Sequence, residues 1–186
     1  PLELTGRRVT IGFIDTGIRY ENEVFRSSSG QSRITAIWDQ TIQSGDPPAG
    51  FEYGTEYTRE QIDEALASDN PLQIVPSTDT IGHGTAIASV AAGSRLSGNR
   101  RFVGAAPDCN IVVVKLKPIK QYLREYYLIP EDVPCYQETD LIQAIQYLQK
   151  FAASLYSPLV ICLGVGTNLG DHAGVSVFAR YLDLVM

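Results

Sequence analysis

The chain has 186 residues, 44% of them hydrophobic and 19% charged, enough apolar content for one globular domain with a substantial core. Its formal net charge of -6, with no cluster of lysine or arginine, argues against a nucleic-acid partner or an anionic membrane surface. No apolar run approaches the roughly 18 residues of a membrane span and no leader-like segment is visible, so no membrane partner is expected and the compartment stays open.

Cys109, Cys135 and Cys162 are odd in number and unpaired in spacing, which predicts reduced structural thiols and no metal site. A start at Pro1 and an end at Met186 inside a helix-like stretch give the expectation of a piece excised from a longer domain.

In chain order, residues 9–14 form a continuous apolar run, the pattern of a strand buried on both faces, and it ends in Asp15-Thr16-Gly17. Ligands of an open parallel α/β sheet meet the carboxyl ends of its strands, so Asp15 falls where chemistry gathers. Residues 33–38 alternate and predict a short strand. Between 39 and 80 the chain runs through a Gly/Pro-rich loop at 45–50. Thr58 and Gln61 then have the spacing of a capping box, opening a short helix to about Ser68. This acidic, aromatic stretch either rims a cleft or is a surface excursion.

Gly82-His83-Gly84-Thr85 follows, with His83 at a loop-to-helix entry where no neighbouring side chain blocks it. The small, apolar helix it opens is expected to present Ile87, Val90 and Ala91 to a sheet. A polar turn at 95–100 leads to a second buried strand at 111–116. Residues 119–138 hold Tyr122, Tyr126, Tyr127 and Tyr136 and read as an amphipathic excursion packing its tyrosines on the domain, with a binding surface as the alternative. A helix at 139–155 with Leu141, Ile142, Ile145 and Leu148 on one stripe, a strand at 159–165, a loop at 167–174 and the start of another helix at 175–186 complete the chain. This alternation predicts an α/β fold: a doubly wound, mainly parallel sheet with right-handed crossovers and helices on both faces.

A carboxylate behind an imidazole fixes its tautomer and stabilises the imidazolium formed when it takes a proton from a nucleophile. The Asp15 and His83 motifs together therefore point to nucleophilic catalysis. In these two boxes the chain resembles the subtilisin-like serine peptidases. Two more stretches agree in the right order: Val103-Gly104-Ala105-Ala106-Pro107 resembles the family's Val-Gly-Val-Ala-Pro segment. Val160-Ile161-Cys162-Leu163-Gly164-Val165-Gly166 resembles its Val-Ile-Asn-Met-Ser-Leu-Gly strand.

The resemblance implies that residues 1–186 are the N-terminal part of one subtilisin-like peptidase domain, with insertions at about 39–80 and 118–138, ending before the serine-bearing segment. It implies Asp15 and His83 as catalytic residues, Gly164, Val165 and Gly166 as substrate-binding residues, and a polypeptide as substrate. No cofactor is implied. Structural calcium is compatible with the family, with no site assignable. The serines present sit in no Gly-Thr-Ser-x-Ala-x-Pro box, so the chain by itself is expected to be inactive. Gly164 stands where the family has Ser, and Cys162 where it has Asn. The loop at 167–170 and the insertion near Tyr122 add a narrower resemblance to the spore-germination subtilases of clostridia, which implies a secreted or spore-associated protein.

His172, in a Gly-flanked loop without a strand-end carboxylate, reads as a solvated loop residue. An aspartic peptidase would need two Asp-Thr-Gly carboxylates on a β-rich scaffold, and only one occurs here. The alternative that stays open is a catalytically dead subtilase-fold protein acting as a binding or regulatory module, against which the presence of both Asp15 and His83 weighs. Missing later strands also predict an exposed apolar edge and self-association.

Overall fold

In the computed structural model, residues 4–96, 102–167 and 172–185 are described. Five strands build one sheet: β1 (Thr10–Asp15), β2 (Ile34–Asp39), β3 (Thr55–Thr58), β4 (Asn110–Lys115) and β5 (Leu159–Leu163). Their spatial order is β3-β2-β4-β1-β5, with every neighbouring pair parallel except β2 and β3. The apolar runs dictate this placement. All six residues of β1 are buried, as are Ile111 to Val114 of β4, and only central strands can bury both faces.

Successive residues of β4 face opposite layers. Ile111 and Val113 join Ile11, Phe13, Ile34 and Ile37 under α1 (Arg59–Leu66) and α3 (His83–Ala92). Val112 and Val114 join Ile14, Ala36 and Trp38 under α5 (Glu138–Ser154), and α6 (Val177–Val185) lies against that same cluster through Phe178, Tyr181 and Leu182. Each such buried side chain contributes about 1.5–3 kcal/mol, so the central strands dominate the fold's stability. Helices thus cover both faces of a mainly parallel sheet, as the alternation predicts. Gly12 lets α5 lie close to β1, because a Cβ there would come within 3.0 Å of Leu148 Cγ and closer still to its methyl groups.

Several local expectations change. The alternating segment at 33–38 does form β2, but Ala36 to Asp39 are all buried, since β2 lies inside the sheet between β3 and β4. The 39–80 stretch is not a surface excursion. It adds the antiparallel edge strand β3, and the Thr58–Gln61 capping box opens α1, whose Ile62 and Ala65 enter the core. A further single-turn helix, α2 (Pro71–Ile74), follows.

On α3 the buried residues are Gly84, Ala88 and Ala92, while Val90 is 63% exposed. The helix lies so near the end of β1 that a ridge of small residues, four apart, faces the sheet; Ile87 and Ala91 flank it. In the 118–138 stretch, α4 (Gln121–Tyr126) buries Arg124, which donates to the carbonyls of Pro130 and Val133 and so ties the loop to itself. Tyr122, Tyr126 and Tyr127 point outward instead of packing on the domain, and only Tyr136 packs against the core.

The three cysteines carry no disulfide, and Cys109 is buried. Residues 97–100 of the expected turn at 95–100 and residues 168–171 of the expected loop at 167–174 lie outside the described residues.

Candidate active site

β1 delivers Asp15 to the carboxyl end of the sheet, flanked by β4 on one side and β5 on the other. The chain then turns sharply through Gly17, whose φ of 116° suits only glycine. Opposite it, Gly82 (φ 90°) directs the chain into α3 with His83 as its first residue. The two turns bring the side chains together. His83 Nδ1 lies 2.8 Å from Asp15 Oδ1 and 3.0 Å from Oδ2. The carboxylate is 2% exposed and the imidazole 49%, so the acid is buried behind a base that reaches solvent.

The other contact of Asp15 Oδ1 is the Thr16 N–H at 2.7 Å. With Nδ1 committed to Asp15, Nε2 is the ring nitrogen left to act as a base. The hydrogen bond to Asp15 raises the His83 pKa above its ordinary 6.5, and the charge of Asp15 adds to this; burial opposes it weakly and the charge of Asp79 reinforces it.

Asp79 is the unforeseen part of the site. Fully buried, its carboxylate accepts from the Thr16 hydroxyl at 2.8 Å, from the N–H groups of Ile81 (3.2 Å) and Gly82 (2.8 Å), and from the Thr85 N–H (2.9 Å) and hydroxyl (2.7 Å). Burial works against its ionisation, but the bonds from Thr85, Gly82 and Thr16 outweigh it and hold its pKa below 3.8. The Thr16 oxygen in turn accepts the Gly84 N–H at 3.0 Å, so a single hydroxyl ties the Asp15 turn to both Asp79 and α3. A carboxylate four residues before the histidine, followed by a threonine two after it, is the signal that could have disclosed this anchor.

Around the pair stand two groups that sequence reasoning did not assign to it. Burial pushes the Tyr136 hydroxyl pKa up, and the charges of Asp15 and Asp79 push it further, so it stays neutral. Burial likewise raises the thiol of Cys162 on β5, aided by the Asp15 charge. The 164–166 stretch continues β5 beside Asp15, where Gly164 N–H donates to the Ile14 carbonyl at 3.1 Å and Gly166 is exposed. His172 is exposed, in left-handed backbone (φ 56°). Among the described residues no group of three or more His, Cys, Asp or Glu is placed to hold a metal ion, and no helix is long and apolar enough to cross a membrane.

Comparison with known proteins places this geometry in context. The model of the subtilase family matches residues 6–166. Among curated proteins, the chain is 26% identical over 148 residues to the subtilisin-like protease SBT3.6 of Arabidopsis thaliana, covering 75% of this chain and 19% of that protein. It is 27% identical to SBT3.5 of the same plant, covering 86% of this chain and 25% of that protein. Among solved structures, the Clostridium perfringens CspB protease superposes with a TM-score of 0.78 at 30% identity, over 97% of this chain and 34% of that one. The chain thus spans about a third or less of the proteins it resembles.

Proposed function

This chain belongs to the subtilase family, and from that premise we propose that it carries the acid and base of a serine endopeptidase site in which Asp15 orients His83 and His83 activates a serine. The observation that carries the reading is the buried Asp15 carboxylate with both oxygens within 3.0 Å of Nδ1 of a half-exposed imidazole. In the reaction, the serine oxygen attacks the scissile carbonyl carbon while His83 Nε2 takes the hydroxyl proton. The tetrahedral intermediate collapses as His83 returns that proton to the departing amine, and water then repeats the sequence on the acyl-enzyme.

Among the described residues no serine is hydrogen bonded to His83. Ser77 donates to Asp39, Ser89 to the Thr85 carbonyl and Ser94 to the Arg26 carbonyl. Because no serine of this sequence sits in the family's Gly-Thr-Ser-x-Ala-x-Pro box, on this reading the nucleophile and oxyanion donors come from outside residues 1–186, and the chain by itself is expected to be inactive. Gly164, Val165 and Gly166 receive the substrate backbone beside the pair. Supporting this assignment, β5 is the outermost strand on that side of the described sheet, and Gly166 borders open space.

Fluorophosphonate labelling of the intact protein tests the reading. Labelling that disappears in His83→Ala establishes an activated serine. A folded protein that does not label would overturn the enzyme and favour a binding module built on the same fold.

A further inference from the structure

The register of the sheet sets three charges side by side. Lys115, the last residue of β4, is paired in register with Asp15 of β1 on one side and with Asp39 of β2 on the other. Ile14, Val114 and Trp38 point into the cluster under α5, so the residue after each of them points to the opposite face, toward α3. A lysine thus stands between two buried carboxylates, on strands roughly 4.8 Å to either side.

The ammonium goes to Asp39. Lys115 Nζ lies 3.3 Å from Asp39 Oδ2, which also accepts the Ser77 hydroxyl at 2.6 Å, while Oδ1 accepts the N–H and hydroxyl of Thr41. Asp39 is fully buried and the Lys115 side chain is 16% exposed. Yet the stem of the lysine lies against the turn that follows Asp15. A Cβ on Gly17 would lie 3.0 Å from Lys115 Cδ and 3.2 Å from its Cγ. An ammonium this enclosed needs a counter-charge. With Asp39 neutralised, the carboxylate in register on its other side is Asp15.

Building on the peptidase reading, we propose that Asp39 is a positioning residue acting through Lys115: it draws the ammonium to the far side of β4 and leaves the Asp15 carboxylate to His83. Without the Asp39 charge, Lys115 turns about its side-chain bonds to Asp15, shares the carboxylate with Nδ1 and weakens its hold on the imidazolium.

The other charged and titratable groups facing these residues are Tyr57 on β3, Cys162 on β5, Arg19 after the Asp15 turn, Asp79 on the loop before α3, and Tyr136 before α5. They are common to every variant compared, so differences among the variants report Asp39 and Lys115.

The test uses the intact protein with isotopically labelled histidine, the His83 resonance being assigned by its loss in His83→Ala. The titration of His83 is followed by NMR in the parent, Asp15→Asn, Asp39→Asn, Lys115→Met and the double variant of Asp39→Asn with Lys115→Met. Asp39→Asn is expected to move the midpoint in the same direction as Asp15→Asn, downward toward 6.5. In the Lys115→Met background the same substitution is expected to cause no more than about half of that shift, because no ammonium is left to move.

A charge on Asp39 that acts only at a distance would shift the midpoint equally in both backgrounds. That result, or no shift in Asp39→Asn, would overturn the role of Asp39 and leave the pair intact. No shift in Asp15→Asn would overturn the pair and with it the peptidase reading. Should Asp39→Asn fold poorly, the parent protein with isotopically labelled lysine and aspartate answers the question without substitution. Scalar coupling across the hydrogen bond from Lys115 Nζ is expected on Asp39 Cγ; coupling to Asp15 Cγ would refute the proposal.

Discussion

Replacing Asp79 with alanine removes the hub on which the His83 loop hangs. Its carboxylate takes donors from Thr16, Ile81, Gly82 and twice from Thr85, all within 3.2 Å. A hydrogen bond to a charged group is worth about 1.5–3 kcal/mol net, and simple addition over these contacts would approach the whole stability of a domain, about 5–15 kcal/mol. The contacts therefore do not add. The N–H groups of Ile81 and Gly82 are part-buried and can turn to water, whereas the Thr16 hydroxyl is buried and keeps an acceptor role only, toward Gly84 N–H. The expected loss is about 3–5 kcal/mol, or roughly 6–20 °C in melting temperature for a chain of this size.

Asp79→Asn retains one acceptor oxygen but turns an amide N–H₂ toward donors, for an intermediate loss of about 1–3 kcal/mol. Urea unfolding followed by circular dichroism measures both. The pH dependence has a definite sign. The folded pKa lies below the unfolded 3.8, so the contribution of Asp79 is present above that value and disappears as pH falls through the folded pKa. An Asp79→Ala variant within about 0.5 kcal/mol of the parent, the range of ordinary surface changes, would refute the anchoring role.

Gly84→Ala gains about 1 kcal/mol of helix propensity, but its Cβ overlaps the Gly17 carbonyl oxygen, backbone that has little room to yield. A net destabilisation of about 1–2 kcal/mol is expected by urea titration; a stabilised variant contradicts the close approach of α3 to the Asp15 turn. In the intact protein kcat/KM should rise with pH through a midpoint above 6.5, because His83 must be neutral to act and Asp15 holds its proton; a midpoint at or below 6.5 counts against the pair. The stability that His83 draws from Asp15 has the opposite sense, complete below pH 6.5 and lost as pH rises through the folded pKa. Residues 1–186 alone are expected to self-associate through the outer β5 edge and α6, where Val160 is 53%, Val177 77% and Leu184 84% exposed; light scattering from a stable concentrated monomer would argue otherwise.

The parts of this molecule that were legible in the sequence are those in which one residue's type fixes its own environment. Continuous apolar runs at 9–14 and 111–116 could only be strands covered on both faces, and the Thr58–Gln61 box announced α1 by chemistry internal to four residues. Asp15 and His83 were legible because a strand-end carboxylate and a glycine-bounded imidazole are each unusual on their own. The face of α3 was misread because apolarity was taken as the guide to burial. Proximity to the Asp15 turn selects small residues instead, so Gly84 and Ala88 go inward and Val90 outward. The tyrosines at 122–127 were misplaced for a related reason. Arg124 satisfies the loop's carbonyls internally, and Tyr126 and Tyr127 pack edge to face on each other at 5.0 Å instead of on the domain. Asp79 stayed hidden because its partners are backbone N–H groups and threonines scattered from 16 to 85, a set that only the closed fold assembles.

Packing and electrostatics meet at Asp15. A carboxylate this buried, 2% exposed, is expensive to keep ionised unless donors surround it, and here the donors are one backbone N–H and one imidazole. The same low-dielectric surroundings that make the burial costly strengthen the pull of that charge on His83, since less solvent lies between them to screen it. Glycine at 84 lets α3 close on the carboxylate, since a Cβ there would fall 3.1 Å from Asp15 Cβ and 3.2 Å from its Oδ1. The basicity of His83 is therefore a property of how tightly β1 and α3 converge, and any substitution that loosens that convergence should act on the imidazole even though it touches neither ring nor carboxylate.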